Sequence, residues 1–383
     1  MFKKTDAYLV GYYGMRNSGD DALMYATAWG ARNLWAHKKL TVGLYGDHTR
    51  HTPANFKVNL QFAQKFSGQN RLAHYQEALK SKCVLFGGGA VLHSQTDINL
   101  KRHLMMLAGA SKSAALGVSI GPFQSVAAEK SCAKFLNECG YVGVRDQTSL
   151  AIANSIAPDA KVEKTFDLAP LLLCSDKYKP IQQQRKGIAL ALCPIAVDPM
   201  GKTNEQSEQK RIEEICKLIT ATYKSTGECI TLLTFNGHPT LGDWMINNQI
   251  MARLYSKIPL TIKPYNPNPY AVLEDISSYK AIISMRLHGS IMGYLANTPV
   301  LSLNYHEKCV GWCQEVGLSE DYQLNLAKQN ILDILTPLEQ GLMYGFSSPS
   351  LAVTKAIKMA LSNWSINHEK TKFYSRYTAL QQS

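Results

Sequence analysis

Short apolar runs and amphipathic stretches alternate along most of the chain. In the first half, the pattern predicts strands at residues 7–12, 40–45, 82–86, 114–120 and 141–145. Helical periodicity falls between them, at 20–35, 98–108 and 126–139. On the first of these helices Leu23, Ala26, Gly30 and Leu34 share one face, the spacing of a helix that covers a sheet. Residues 175–186 break the pattern. They are polar, with Pro180 and the run Gln182, Gln183, Gln184, and read as an interdomain linker. Alternation then resumes. Strands are predicted at 187–192, 229–235, 260–263, 281–284 and 300–303, and helices at 208–226 and 244–257, with a short one ending near Tyr279 and another starting at Gly289. A last helix is predicted at 350–364.

Strands that alternate with helices of this length argue for parallel sheets covered on both faces. A chain of 383 residues is too long for one ordinary core, which favours two domains. The expected fold is therefore α/β, with two Rossmann-like doubly wound domains facing a cleft. The expected boundaries are 1–178 for the first domain and 186–350 for the second, with a helical segment 351–383 packing back on the first. No solenoid-type repeat or low-complexity tract disturbs this picture.

Charge changes the picture more than bulk composition does. Lys and Arg number 41 against 29 Asp and Glu, a formal net charge of +12. Such a balance favours anionic partners. The cations are scattered, with no basic block or aromatic ladder of nucleic-acid type, so no nucleic acid is expected. Nine Cys with no framework spacing sit mostly in apolar stretches, as in reduced cytosolic proteins. His306, Cys309 and Cys313 are spaced like metal ligands on a helix, but no second pair completes a tetrahedral set. No metal is expected. No secretory signal is apparent, and no run reaches the ~18 apolar residues of a membrane span. A cytoplasmic protein is expected, with peripheral contact to the inner face of an anionic membrane left open.

The candidate chemistry gathers where strands end. Arg286-Leu287-His288-Gly289 joins an apolar strand to a helix. In an open α/β fold that junction faces the ligand crevice, and the helix N-terminus adds N–H groups and partial positive charge. An anion, and phosphate in particular, fits there. The first loop, residues 11–23, carries Asn17 and Asp20 but lacks the dinucleotide Gly spacing. Asp20 reads at least as well as a helix cap. Gly87, Gly88 and Gly89 at the expected end of a strand allow backbone amides to approach a ligand, a reading preferred here to the alternative of a helix crossing close over the sheet. Arg145 ends another strand, where a guanidinium fork can hold a carboxylate or phosphate, or pair with Asp146. Lys308 follows the next strand of the second domain. His306 beside it reads slightly better as a surface residue than as a second imidazole of the site.

Together these motifs resemble the polysaccharide pyruvyl transferase family. The ordered set is Asn17-Ser18-Gly19-Asp20-Asp21-Ala22, Gly87 to Gly89, Ser119-Ile120-Gly121-Pro122, Arg145-Asp146-Gln147-Thr148-Ser149, Asp167-Leu168-Ala169, Arg286-Leu287-His288 and Tyr305-His306-Glu307-Lys308. Asp21 stands where many members carry Glu. The resemblance implies a glycosyltransferase-B-like fold. It also implies transfer of pyruvate from phosphoenolpyruvate, as donor substrate rather than cofactor, onto a saccharide or lipid-linked saccharide acceptor. Under it Arg145, His288 and Lys308 are the catalytic or donor-engaging residues. Asn17, Asp20, Gly87, Gly88, Gly89, Arg286 and Gly289 are substrate-binding candidates. Two rival functions stay open at this point: a nucleotide-sugar-dependent glycosyltransferase of the same fold, and a carbohydrate- or lipid-binding paralogue without turnover.

Overall fold

A computed structural model describes residues 4–46, 52–179, 184–194, 204–240 and 242–367. The chain divides into two compact units. The first holds residues 1–15 and 20–176 with the C-terminal segment from Thr354; the second holds Lys177–Val353 and the short stretch Arg16–Gly19. Residues 180–183 of the expected linker, with Pro180, Gln182 and Gln183, lie outside the described residues, as do 368–383 of the expected C-terminal segment.

The first unit runs β1 (Ala7–Val10), α1 (Ser18–Asn33), β2 (Leu40–Tyr45), β3 (Phe56–Leu60), α2 (Gln69–Lys80), β4 (Val84–Leu92), α3 (Gln95–Ala108), β5 (Ala114–Ile120), α4 (Val126–Glu138), β6 (Tyr141–Val144), α5 (Gln147–Ile156) and β7 (Val162–Lys164). Its sheet is parallel, in the order β3-β2-β1-β4-β5-β6-β7. The order reverses between β1 and β4, and ligands of open α/β sheets bind beyond the strand ends at such a switch point. β1, β2, β5 and β6 are buried almost throughout, as expected for strands covered on both faces. Fully burying a side chain such as Leu9, Leu85 or Phe135 stabilises by roughly 1.5–3 kcal/mol.

The second unit runs β8 (Ile188–Ala191), α6 (Glu205–Thr226), β9 (Ile230–Leu233), α7 (Trp244–Leu254), β10 (Leu260–Lys263), α8 (Pro269–Ser277), β11 (Ala281–Ser284), α9 (Leu287–Leu295), β12 (Val300–Asn304), α10 (Glu307–Val316), β13 (Gln323–Asn325) and α11 (Leu335–Tyr344). Its parallel sheet has the order β10-β9-β8-β11-β12-β13, so its switch point lies between β8 and β11. Ile215, Ile219, Ile230, Ile283 and Leu301 belong to one buried cluster against this sheet.

The chain then enters α12 (Val353–Leu361) and a 3-10 turn over Ser362–Asn367. Buried Asn363 ties this segment to the first unit. Its Oδ1 accepts from Gly117 N–H (2.6 Å) and the Thr165 hydroxyl (2.8 Å), and its Nδ2 donates to the Phe166 carbonyl (3.0 Å). The Trp364 and Trp35 rings meet edge-on at 4.8 Å. A Cβ on Gly30 would lie 2.3 Å from the Trp364 ring, so only glycine fits beneath it. No helix among the described residues is long and apolar enough to cross a membrane.

Several expected boundaries need correction, among them the starts of α3 at Gln95 and α6 at Glu205, each three residues earlier than expected. α1 starts at Ser18, two residues earlier than expected, and α9 at Leu287 rather than Gly289. Gly87, Gly88 and Gly89 do not follow a strand end: they lie inside β4, which runs on to Leu92 with a register shift between Gly89 and Leu92.

Candidate active site

The switch point of the second sheet places Arg286 and His288 just beyond β11. Ser284 Oγ donates to the Arg286 carbonyl (2.8 Å) and closes the turn between strand and helix. Arg286 is then the N-cap residue of α9, in extended conformation and with no side-chain cap of its own. Its guanidinium pairs through Nη2 with Asp243 Oδ1. Asp243 is fully buried, and its Oδ2 accepts from the backbone N–H groups of Phe235 (3.1 Å) and Asn236 (2.9 Å). One carboxylate thus ties the end of β9 to the start of α9. Burial alone would lower the Arg286 pKa, but the Asp243 carboxylate outweighs it and holds the guanidinium charged. The pair is neutral overall, so Arg286 is not the uncommitted cation that its sequence position suggests. Its Nε is buried and makes no hydrogen bond among the described residues. An orphaned buried donor of this kind calls for a ligand, water or ion.

The segment Arg16–Gly19 lies against the same junction. Ser18 N–H donates to the Phe235 carbonyl (2.9 Å), Gly237 N–H to the Arg16 carbonyl (2.8 Å), and Asn17 forms an antiparallel bridge with Asn236. Gly19 packs on the His288 imidazole: a Cβ there would stand 2.4 Å from Nδ1 and 2.5 Å from Cγ. Glycine at position 19 is what lets the loop lie on the ring. Asn17 Oδ1 accepts from Gly19 N–H (2.9 Å) and so supports the first turn of α1. That is the capping work expected of Asp20.

His288 and Gly289 occupy the first turn of α9. The intrahelical ladder begins with Ser290 N–H to the Arg286 carbonyl (3.0 Å), so the N–H groups of Leu287, His288 and Gly289 point out of the helix end without a helical acceptor. A Cβ on Gly289 would stand 2.4 Å from Ser284 Oγ and 3.0 Å from Ala191 Cβ. Close packing of α9 on β8 and β11 therefore suffices to demand glycine at 289. α10 begins in the same way beyond β12, the hydrogen-bonded neighbour of β11. Its N-cap is His306, whose Nδ1 accepts from Lys308 N–H (3.1 Å). Burial, then Lys308, lowers the His306 pKa. This imidazole is exposed and works as a cap, in line with its reading as a surface residue. Lys308 sits in the first turn of α10. Two helix N-termini, one His and one Lys thus belong to neighbouring strand ends of one sheet, an arrangement suited to an oxyanion.

Cys309 donates to the Met285 carbonyl and Cys313 to Asn304 Oδ1, both at 3.8 Å. Among the described residues no group of three His, Cys, Asp or Glu side chains could hold a metal ion. A cavity of about 340 Å³ adjoins the junction through Ser18 and Phe235 and continues to Thr234, Lys263 and Tyr265. Neither His288 nor Arg286 lines it.

In the first unit, three motifs converge on one network. Arg145 Nε donates to Ser119 Oγ (2.6 Å), and its Nη1 to Asp167 Oδ2 (3.0 Å). Ser119 Oγ in turn donates to Asp146 Oδ2 (2.9 Å), while Asp146 Oδ1 caps α5 by accepting from Ser149 N–H (2.7 Å). The main ionic partner of Arg145 is therefore Asp167, with Asp146 farther away at 3.8 Å. Arg145 is 9% exposed and Asp167 3%. Truncating Arg145 would leave Asp167 buried without its cation.

The glycine triplet of β4 answers mainly to α1. A Cβ on Gly87 would stand 2.0 Å from Thr27 Oγ1 and 2.4 Å from the Tyr13 hydroxyl, and one on Gly88 2.7 Å from Leu23. Close crossing of the helix accounts for both. Gly89 has room for a side chain, but its φ of +82° favours glycine, and Asp20 Oδ1 lies 3.9 Å from its would-be Cβ. Gly87→Ala is expected to destabilise the protein by about 1–3 kcal/mol through overpacking, read from denaturant midpoints. An unchanged midpoint would show that α1 can move aside at no cost.

Sequence reasoning placed the chemistry at Arg286 and His288 but missed Asp243, the carboxylate that fixes them. Asp243 looks like any Asp ahead of a helix; only the fold brings it to Arg286. Asp167 was visible as a motif without its partner. Of the candidates, Asn17, Arg286, His288, Gly289 and Lys308 fall in the second unit, and Asp20, Gly87, Gly88, Gly89 and Arg145 in the first.

The sequence profile of polysaccharide pyruvyl transferases matches residues 17–307, from Asn17 to the residue before Lys308. No curated protein matches the chain in sequence. Solved structures match it throughout. A putative UDP-N-acetylglucosamine 2-epimerase from Listeria monocytogenes aligns with a TM-score of 0.62 at 11% identity, over 97% of this chain and 98% of its own. UDP-GlcNAc 2-epimerase from Neisseria meningitidis, bound to UDP-GlcNAc, aligns at 0.56 and 13% identity, over 94% and 99%. The corresponding enzyme from Methanocaldococcus jannaschii gives 0.58 and 10%, over 92% and 97%. Identities this low carry the fold alone: two parallel-sheet α/β domains of the glycosyltransferase-B type.

Proposed function

Because the chain belongs to the polysaccharide pyruvyl transferase family, we propose that it moves pyruvate from phosphoenolpyruvate onto two hydroxyls of one sugar, in a cell-surface polysaccharide or its lipid-linked precursor. The observation that carries this reading is the β11–α9 junction. It sets an imidazole, the orphaned Nε of Arg286 and a helix N-terminus at one switch point. Phosphoenolpyruvate carries a phosphate and a carboxylate, and N–H donors with Lys308 suit those two ends. Arg145 enters through its motif; among the described residues its Nε and Nη1 are hydrogen-bonded to Ser119 and Asp167.

The chemistry balances without a redox partner. A proton adds to the methylene carbon of the donor, which becomes the methyl group, and C2 takes on oxocarbenium character. A sugar hydroxyl attacks C2 and gives up its proton. The C2–O bond to phosphate then breaks, and a second hydroxyl of the same sugar closes the ketal as its own proton leaves with phosphate. His288 is the group suited to move these protons, since imidazole titrates near working pH. Donors fixed at a helix end stabilise the charge that develops on the departing phosphate.

Lys308→Ala is expected to weaken phosphoenolpyruvate binding by roughly ten- to a hundredfold, the loss of one charge-assisted contact of ~1.5–3 kcal/mol. Calorimetric titration of the full chain measures it, and unchanged affinity would remove Lys308 from the site. The function itself is tested by incubating the protein with phosphoenolpyruvate and a panel of lipid-linked sugars while following phosphate release. Consumption of a nucleotide sugar instead would establish the glycosyltransferase alternative. Binding of sugar with no turnover of either donor would establish the non-catalytic one.

A further inference from the structure

Four aromatic rings mark the C-terminal edge of the first sheet in the order of its strands. Phe62 follows β3, Tyr45 ends β2, Tyr12 follows β1 and His93 follows β4, and these strands are neighbours in that sequence. The β1/β4 switch point lies under the last two. Tyr45 and Phe62 stand 5.9 Å apart between centroids and are tilted by 34°. Tyr12 and His93 stand 6.4 Å apart at 57°. None of the four is a core residue: Phe62 is 52% exposed and the others are half-buried.

A polar group is built into the same edge. The Tyr12 hydroxyl donates to Asp97 Oδ2 (2.9 Å), and Lys101 Nζ lies 2.5 Å from the same oxygen and 5.6 Å from the centre of the Tyr12 ring. Lys101 is 3% exposed. A buried ammonium is costly unless it is paired, and here the carboxylate and the ring face neutralise it. The arrangement holds Tyr12 and Asp97 in fixed geometry. No hydrogen bond among the described residues reaches Asp97 Oδ1, which leaves that oxygen to a ligand.

The chemistry of this edge selects its occupant. Stacking rings suit bases and sugars alike. A nucleotide, however, would bring its phosphates toward Asp97 and Asp20, and the cation present is already neutralised. A pyranose has an apolar C–H face for the rings and a rim of hydroxyls for the carboxylate. We propose that this edge is a saccharide subsite, in which a neutral pyranose stacks on Tyr12 and Tyr45 and donates a hydroxyl to Asp97 Oδ1. Lys101 is a positioning residue for Asp97. That the bound sugar is the pyruvyl acceptor rests on the function proposed above; that the edge binds sugar does not.

Saturation-transfer NMR on the full chain tests the subsite without donor, using methyl β-glycosides of galactose, glucose, mannose and N-acetylglucosamine. At least one glycoside is expected to receive saturation on the C–H protons of one ring face. Tyr12→Ala, Tyr45→Ala and the surface variant Phe62→Ala should each weaken it by about threefold to tenfold, the scale of one stacking contact. Phosphoenolpyruvate affinity should stay unchanged in all three, which also reports an intact fold. Failure of every glycoside to bind, or equal binding by wild type and all three variants, overturns the subsite. Sugar binding by a protein that ignores phosphoenolpyruvate would leave the subsite standing and overturn the donor assignment instead.

Discussion

His288→Ala and His288→Asn are expected to lower turnover by about 10²–10⁴-fold, the range for a general acid–base group. The imidazole stands in the first turn of α9 and against Gly19, at the switch point where an open α/β sheet receives its ligand. It is half-buried, so its removal costs little packing and the melting temperature should change little. The Asn variant keeps a polar side chain of similar reach but cannot accept and release a proton near neutral pH. Loss of turnover should therefore exceed loss of donor affinity. His306→Ala, by contrast, removes a cap of α10, and should cost about 1 kcal/mol of stability with far less effect on rate. Normal turnover in both His288 variants would falsify the assignment, as would inactivity explained by unfolding.

The second large effect concerns stability. Asp243→Ala is expected to destabilise the second unit by about 3–5 kcal/mol, because it leaves the Arg286 charge without its partner at a largely buried position. It also frees the N–H groups of Phe235 and Asn236 that Asp243 holds. Arg286→Ala should cost a similar amount through the stranded Asp243 carboxylate. The double variant should lose less than the sum of the two, since the shared contact is removed once. Arg145 and Asp167 should behave in the same way in the first unit. Denaturant unfolding of the four single variants and two doubles measures this. Additive losses, or losses of no more than about 0.5 kcal/mol, the size usual for surface sites, would show that the pairs do not hold their junctions.

The architecture was legible because parallel strands buried on both faces leave near-continuous apolar runs, and β2, β5 and β11 were bounded correctly from these alone. β3 and β7 were missed for the converse reason. They are edge strands, partly exposed, and Phe56–Leu60 and Val162–Lys164 carry Lys and Glu among their apolar residues. The Gly triplet misled because glycine usually ends a strand, whereas here it makes room for Thr27 and Tyr13 within one. At the site, Arg286 and His288 were visible because two strong functional types meet at a strand end. Asp243 was not, and Asp167 was visible only as a motif without its partner, since each is joined to its Arg only through the fold, across 43 and 22 residues. The aromatic edge has the same origin. Tyr12, Tyr45, Phe62 and His93 are scattered in sequence, and strand order alone lines them up.

One measurement bears most directly on pyruvyl transfer by this site. The wild-type protein and its His288→Ala variant are each incubated with phosphoenolpyruvate and the lipid-linked sugar panel, and the acceptors are analysed by mass spectrometry. The expected result is an acceptor carrying one pyruvate ketal, with equimolar phosphate released, for the wild type and almost none for the variant. An acceptor left unmodified by phosphoenolpyruvate but extended by a nucleotide sugar, or equal ketal formation by both proteins, would contradict it.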